Sequence, residues 1–572
     1  MTKNTENTNP IRYSQLLWIA TLLGAILRLY KLGSHNLWFD ELATIFYTKL
    51  PISKFGNSFA HHLYYIVLKC LIFLFGTSEL SLRFPSMIFG ILSILLIYHL
   101  GRIIFNRRVG IISAFILAIS PMCVWYSQEA RGYSLSVLLT MLVVYFFYVI
   151  LKSHKLSYIK GFIVVSILAI NNNYISLYSI ITASVFLILY GRARLDRLKR
   201  IKISRKALHA QRVNLLPEEA RPGFLRFKRS FMGKMKLKKL KNTKHRKIWL
   251  ILRILIILIF AIPQLYFLSL NIIKVADNFW IPKPAFSSIL TTFYNFNTGY
   301  NSTAMIHSVM FVTFSLLLVY GIWAWRKTRR VELIQLSLFL FVPIIITFLI
   351  SQKIPIYIDR QLMFFSPFYY ILLSAGLAKI NKRTIRAGIY IIIVFSSLFC
   401  LNNYFSNYMP LSLRYHVGVH VKQPVKPAAD YVNNQLINGD AVSFSDQSTL
   451  SVLYYMPKIL DEKNKITVII FIIQSKLEEY WKKLGMGVGY GRYTWVYSSS
   501  RKLVVLDQRN AFKKIKKSNF KRIWLISSSW EKDGSLTLHS EAVRKWLRGR
   551  YQLLDTKVFN GIFIDLYAGE IK

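Results

Sequence analysis

Leu37-Trp38-Phe39-Asp40-Glu41-Leu42 is the stretch on which the reading of this chain turns. It follows the first long apolar run, Ser14 to about Lys31, and so emerges at one face of a membrane. Two adjacent acids leave a hydrocarbon segment there, with aromatics on their N-terminal side. A carboxylate at such an exit is partly desolvated yet still reaches a polar molecule at the interface. Desolvation raises its pKa toward the range of a general base. Acids at this position also cap helices or mark the end of a span, so the pair takes its meaning from its surroundings.

The surroundings are apolar. Of 572 residues, 54% are hydrophobic, and runs of membrane-spanning length recur through the first ~405. This is a polytopic α-helical membrane protein, and its first helix is too long and too poorly followed by small residues for a cleaved signal peptide. Cys70, Cys123 and Cys400 lie singly in or beside apolar segments, so neither a disulfide framework nor a CxxC metal site is present. A formal net charge of +50 admits two uses. Lysine and arginine fix topology and hold anionic lipid head groups, or they bind nucleic acid. In so apolar a chain the membrane reading prevails, and nucleic acid is not an expected partner.

Counting spans by the positive-inside rule places residues 1–13 in a cytoplasmic tail and 14–405 in a domain of about eleven transmembrane helices. The first outer loop covers 33–83. Within it, His61 to Gly76 is an apolar helix that lies in the interface; were it to cross, Arg102, Arg107 and Arg108 would be carried outside. The third span, about Ile111 to Val124, leads out to Trp125-Tyr126-Ser127-Gln128-Glu129-Ala130-Arg131. Spans five and six meet at Asn171-Asn172-Asn173, and a seventh covers about Ile248 to Leu270. Segment 191–247 carries about twenty lysines and arginines, with only Asp196, Glu218 and Glu219 as acids. It reads as a cytoplasmic basic insertion against the inner leaflet. Residues 406–572 change character, with short apolar runs punctuated by Gly, Asn, Asp and Ser. Strands at 441–444, 523–526 and 562–566 and helices at 428–436 and 540–547 make a small extracytoplasmic α/β domain.

With this topology the polar clusters share one face: Asp40-Glu41, His61-His62, Glu129 with Arg131, Asn171 to Asn173, Lys283 and Asp359-Arg360. Ionisable groups at membrane depth are costly unless partnered or used. Separate loops that each supply one or two such groups to one face have the layout of a site.

Trp38-Phe39-Asp40-Glu41, His61-His62-Leu63-Tyr64-Tyr65, Arg83-Phe84-Pro85-Ser86, Gly101-Arg102, Arg107-Arg108-Val109-Gly110 and Tyr126-Ser127-Gln128-Glu129-Ala130-Arg131-Gly132-Tyr133 occur in that order. Trp280 to Pro284, Arg360-Gln361 and Gln423-Pro424 to Asp430 continue the series. It resembles the bacterial dolichyl-phosphate-mannose-protein mannosyltransferase-like group of GT-C glycosyltransferases, PMT/ArnT-like. The resemblance covers nearly the whole chain and is densest over 37–135. It implies a hexosyl- or pentosyltransferase of the cytoplasmic membrane, with its site on the outer face. Such an enzyme takes a sugar from a polyprenyl-phosphate carrier and passes it to a lipid, glycan or protein hydroxyl. It places the base at Asp40, with Glu41 as paired acid and Glu129 and Arg131 as the second-loop element.

The chemistry fits such a role. A sugar on a lipid phosphate already has a good leaving group, so catalysis needs a base for the acceptor proton and cations for the phosphate. Asp40 is the base, and Glu41 either tunes it by like-charge proximity or binds sugar hydroxyls. Arg131, Lys283 and Arg360 are the phosphate candidates. His61, His62 and Tyr64 are substrate-binding candidates, since adjacent histidines on a helix point about 100° apart and make a poor metal pair. No cofactor is required, although the chemistry would admit a divalent cation between Asp40 and Glu129. A transporter or flippase of a lipid-linked saccharide is the alternative; it calls for inverted repeats or broken helices, which the sequence does not display. A sensor with an outer ligand-binding domain would leave the first-loop acids without a purpose.

Overall fold

The computed structural model describes residues 10–49, 61–153, 157–189, 262, 266, 281–410, 422–445, 450–456, 467–472, 503–507, 520–528, 536 and 538–570. The basic insertion and most of the expected seventh span lie outside these residues.

The membrane part begins with α1 (Pro10–Leu29), α2 (Phe39–Lys49), α3 (His62–Phe75), α4 (Glu79–Ile104), α5 (Arg107–Ile119) and α6 (Pro121–Ser127). It continues with α7 (Tyr133–Ser153), α8 (Ser157–Asn172) and α9 (Tyr174–Leu189). After the undescribed stretch come α10 (Ser287–Thr298), α11 (Ala304–Trp325), α12 (Arg330–Ile350), α13 (Asp359–Lys379) and α14 (Arg383–Phe405). Side-chain caps set several starts: Ser78 accepts from the Ser81 N–H, Asn106 from Val109, and Thr303 from Ile306. Among the described residues, α4, α7, α11, α12, α13 and α14 are long and apolar enough to cross a membrane, while α1, α3, α8 and α9 are apolar but shorter. The protein is therefore a multi-pass membrane protein. Helix α13 is its central post, with 94% of its most apolar window buried, against 28% for α11 and α14. The 14 residues of α3 reach only about 21 Å, well short of a ~30 Å hydrocarbon core.

The third span differs from the straight helix expected of it. The axes of α5 and α6 bend by 60°. The cause is local: Pro121 lacks an N–H, and it holds Ser120 extended at φ −60°, ψ 117°. Ser120 then caps α6 by accepting from the Cys123 N–H. The break leaves carbonyls of α5 without helical partners. Arg28 of α1 fills that gap, donating to Leu117 O at 3.2 Å and Ala118 O at 3.0 Å, and through Nε to Ser127 Oγ at 3.1 Å. Gly90 on α4 makes room, since a Cβ there would collide with Ser127 Oγ.

The C-terminal part is a six-stranded sheet ordered β3-β2-β1-β4-β6-β5. Its strands are β1 (Ala441–Phe444), β2 (Thr467–Ile472), β3 (Leu503–Asp507), β4 (Arg522–Ser528), β5 (Tyr551–Phe559) and β6 (Ile562–Glu570). The first four run parallel, and β6 joins β4 antiparallel. Alternation along β1 and β4 sends Val442, Phe444, Trp524 and Ile526 toward α15 (Val425–Gln435) and α16 (Leu450–Tyr454). Ala441, Ile523 and Leu525 face α17 (Leu538–Arg548). The sheet is thus covered on both faces, as its parallel strands require. After α16, the Tyr455 hydroxyl accepts from the Leu37 N–H at 2.9 Å and donates to Glu79 Oε1 at 3.2 Å. The sheet domain is thereby tied to the loop that carries Asp40.

Candidate active site

The site begins with a buried frame. Arg83, at the start of α4, spends all of its donors. Nε and Nη2 grip Glu41 at 2.8 and 2.9 Å, and the other bonds go to the carbonyls of Leu32, His35 and Asn36. Glu41 in turn accepts from the Ala130 N–H at 2.8 Å and the Trp38 N–H at 3.2 Å. One ion pair so fastens the exit of α1, the start of α2, α4 and the turn after α6. Burial alone would raise the Glu41 pKa, but the Arg83 charge and these hydrogen bonds carry it below the usual carboxylate range. Glu41 therefore turns away from its neighbour. Its side chain is fully buried and engaged by Arg83.

Asp40 points the other way, into a partly open space, with its side chain 23% exposed. Two guanidiniums flank it. Arg131 Nη2 lies 3.7 Å and Arg360 Nη2 3.9 Å from Asp40 Oδ2. Both separations exceed hydrogen-bond length, so the carboxylate is flanked rather than clamped. Arg131 is steadied by the Asp40 carbonyl and Thr44 Oγ1, each at 3.2 Å. Arg360 is fixed from below, where Asp359 takes its main-chain N–H at 2.8 Å and the Asn295 amide at 2.6 Å. The space in front of Asp40 thus has one carboxylate and two forked cations, from α2, the α6–α7 turn and α13.

Glu129 stands behind this group. Oε1 accepts from the Trp125 indole at 2.7 Å, while Oε2 is buried without a hydrogen-bond partner among the described residues. Burial pushes its pKa up to about 7. Gln128 beside it ties the turn to α1 through the Arg28 and Tyr30 carbonyls and accepts from the Tyr404 hydroxyl.

His61 and His62 are buried where α3 begins. His61 sits in the left-handed region at φ 73° and packs edge-on against Tyr133. Gly132 permits that approach, since a Cβ there would come within 2.5 Å of His61 Nδ1. Tyr64 donates or accepts with Ser86 at 2.8 Å, and Asn172 pins this corner by bonding Tyr64 N, Gly132 O and Ser136. These residues shape the wall near Arg131. Lys283 is exposed on its own stretch before α10, and no described contact brings it to Asp40. Among the described residues, no group of three or more His, Cys, Asp or Glu side chains is placed to hold a metal ion.

Two buried charged side chains beside this group escaped the sequence reading. Arg83 carried a signal, because an arginine inside an apolar helix needs a partner. Lys422 carried none. It comes from the segment before α15 and buries its ammonium near Glu129 and Glu41.

Comparison with known proteins agrees with this architecture. Residues 62–209 match the family model described as dolichyl-phosphate-mannose-protein mannosyltransferase. The crystal structure of ArnT from Cupriavidus metallidurans bound to undecaprenyl phosphate superposes with a TM-score of 0.57 at 12% identity, over 98% of each chain. The apo form of the same protein gives 0.56 at 10% identity, covering 97% of this chain and 98% of that one. At such identity the likeness is one of fold. No curated protein matches the chain. The chain thus resembles the dolichyl-phosphate-mannose-protein mannosyltransferase family over residues 62–209 and shares the ArnT fold from end to end.

Proposed function

We propose that the chain is a membrane glycosyltransferase that moves a sugar from a polyprenyl-phosphate carrier to an acceptor hydroxyl, at the non-cytoplasmic face of the cytoplasmic membrane. The observation that carries this reading is the Asp40 carboxylate standing between Arg131 and Arg360, 3.7 and 3.9 Å away. Asp40 takes the acceptor proton as the acceptor oxygen bonds to the sugar's anomeric carbon. The bond from that carbon to the phosphate oxygen breaks, and the lipid phosphate leaves as an anion. Arg131 and Arg360 hold its charge through forked donors suited to phosphate oxygens. The frame of Arg83 and Glu41 keeps these three groups in register. That ArnT from C. metallidurans was crystallised with undecaprenyl phosphate supports a lipid phosphate as the handle.

The broken third span does not favour the transporter. Discontinuous helices in transporters leave their free carbonyls to a passing ion. Here Arg28 occupies the carbonyls of Leu117 and Ala118.

The test is transfer by the purified full chain in nanodiscs, using radiolabelled polyprenyl-phosphate sugars and an envelope lipid extract as acceptor. Asp40→Asn is expected to lower turnover by about 10²–10⁴-fold while the chain still inserts and folds. Undiminished transfer by that variant would end the proposal.

A further inference from the structure

Lys422 is a buried cation near the site that the proposed chemistry does not use. Its main chain is held by Asn407, just beyond α14. The Asn407 amide donates to Lys422 O at 2.7 Å, and its carbonyl oxygen accepts from Lys422 N at 2.9 Å. Asn407 adopts φ 55° to do so, a backbone that asparagine tolerates better than most residues. The side chain then runs inward and is 7% exposed. Its ammonium lies 5.8 Å from the ring centroids of both Trp125 and Tyr404, and Nζ has no hydrogen-bond partner among the described residues. The same Trp125 donates its indole N–H to Glu129, whose other carboxylate oxygen is likewise buried and without a hydrogen-bond partner. Two opposite charges thus share one aromatic compartment, each with a bare polar atom. Lone buried charges are costly, and each offsets the cost of the other.

We propose that Lys422 is a positioning residue whose ammonium keeps the Glu129 carboxylate anionic, and that seating the C-terminal domain thereby sets the charge of the catalytic turn. The proposal rests on the reading of the site as a sugar transferase. The surrounding charges are few and can be named. Glu129 faces Lys422 from the domain linker, Glu41 from α2 and Arg360 from α13. Lys422 faces Arg83 from α4, Glu41 and Glu129. Burial pushes Glu129 up to about 7 against the pull of Lys422, and burial pushes Lys422 down to about 8. Near neutral pH both are therefore charged only with each other's support. Through Arg360 the effect reaches the phosphate-holding pair, because an anionic Glu129 adds to Asp40 in offsetting the charge that Arg360 and Arg131 bring together.

The experiment has two arms on the full chain in nanodiscs. Infrared titration of the carboxyl band reads Glu129 directly and needs no activity. Lys422→Met removes the neighbouring cation, so the carboxyl should titrate at least about one pH unit higher than in the native chain. The protonated-carboxyl band at pH 7 then grows from about half to nearly its full height, and adding Glu129→Gln removes it. In the transfer arm the acidic limb of the pH profile should move upward by the same interval. Lys422→Arg should restore both, and Glu129→Gln should make the Lys422→Met change silent. Equal carboxyl titration in the native chain and Lys422→Met would overturn the proposal, as would a failure of Lys422→Arg to restore it. A native chain that transfers no sugar but shows the infrared shift would fault the assigned reaction and leave the charge coupling standing.

Discussion

At the scale of single residues, adjacency in sequence conceals a division of labour. Asp40 and Glu41 sit side by side at the start of α2, and the helix turns them to opposite sides. One faces open space between two arginines and the other faces Arg83. Removing one partner of a buried ion pair strands the other charge. Arg83→Met is accordingly expected to destabilise the folded chain by about 3–5 kcal/mol, measured by thermal unfolding in detergent. The pair also gives the fold an acid limit. The folded-state pKa of Glu41 lies below its unfolded value. Its stabilisation is therefore complete above the ordinary carboxylate range and is lost as pH falls through the lowered value. Glu41→Gln should flatten that acidic part of the stability curve while lowering stability at pH 7. The acids at 40 and 41 were legible in the sequence, as were Arg131 and Arg360. Which acid faces the two arginines and which one is held by Arg83 was not, because it depends on Arg83, 42 residues further along the chain from Glu41.

At the scale of elements, the break between α5 and α6 places the site. Beyond the 60° bend, Ala130 and Arg131 bond to Glu41, Asp40 and Thr44 of α2. Hydropathy sums apolar residues and does not register a bend, so the run from 111 to 124 reads as one span. The local signal was Ser120-Pro121, a cap followed by proline at the first helical position. Arg28 makes the break tolerable. Arg28→Met is expected to cost about 1–3 kcal/mol for each carbonyl left bare, and thermal unfolding beside the native chain would show it. A loss of under half a kcal/mol would mean that other donors replace the guanidinium. Gly132 is a second element-level constraint, through its closeness to His61. Gly132→Ala should push α3 from the catalytic turn and reduce transfer more than it reduces melting temperature.

At the scale of the whole molecule, two parts of different composition meet over the site. The sequence showed the change of material near residue 406, and the strands it suggested are β1, β4 and β6. It could not show that Tyr455 and Lys422 reach back into the membrane part, since those contacts span hundreds of residues and have no local pattern. Lys283 is the converse case. Its place in an ordered motif series suggested the site, and the described residues show it exposed, with no contact to Asp40 among them. Tyr455→Phe removes the hydroxyl shared by Leu37 and Glu79, and hydrogen exchange should show faster opening of the Leu37–Asp40 stretch. The central claim is that Asp40 stands where two arginines receive a lipid phosphate, competing with that phosphate for their charge. The dissociation constant for undecaprenyl phosphate, measured in nanodiscs, tests it most directly. Removing either guanidinium should weaken binding about tenfold or more, whereas Asp40→Asn should leave binding unchanged or tighten it. Native affinity in Arg131→Ala and Arg360→Ala, or a large loss in Asp40→Asn, would contradict the account.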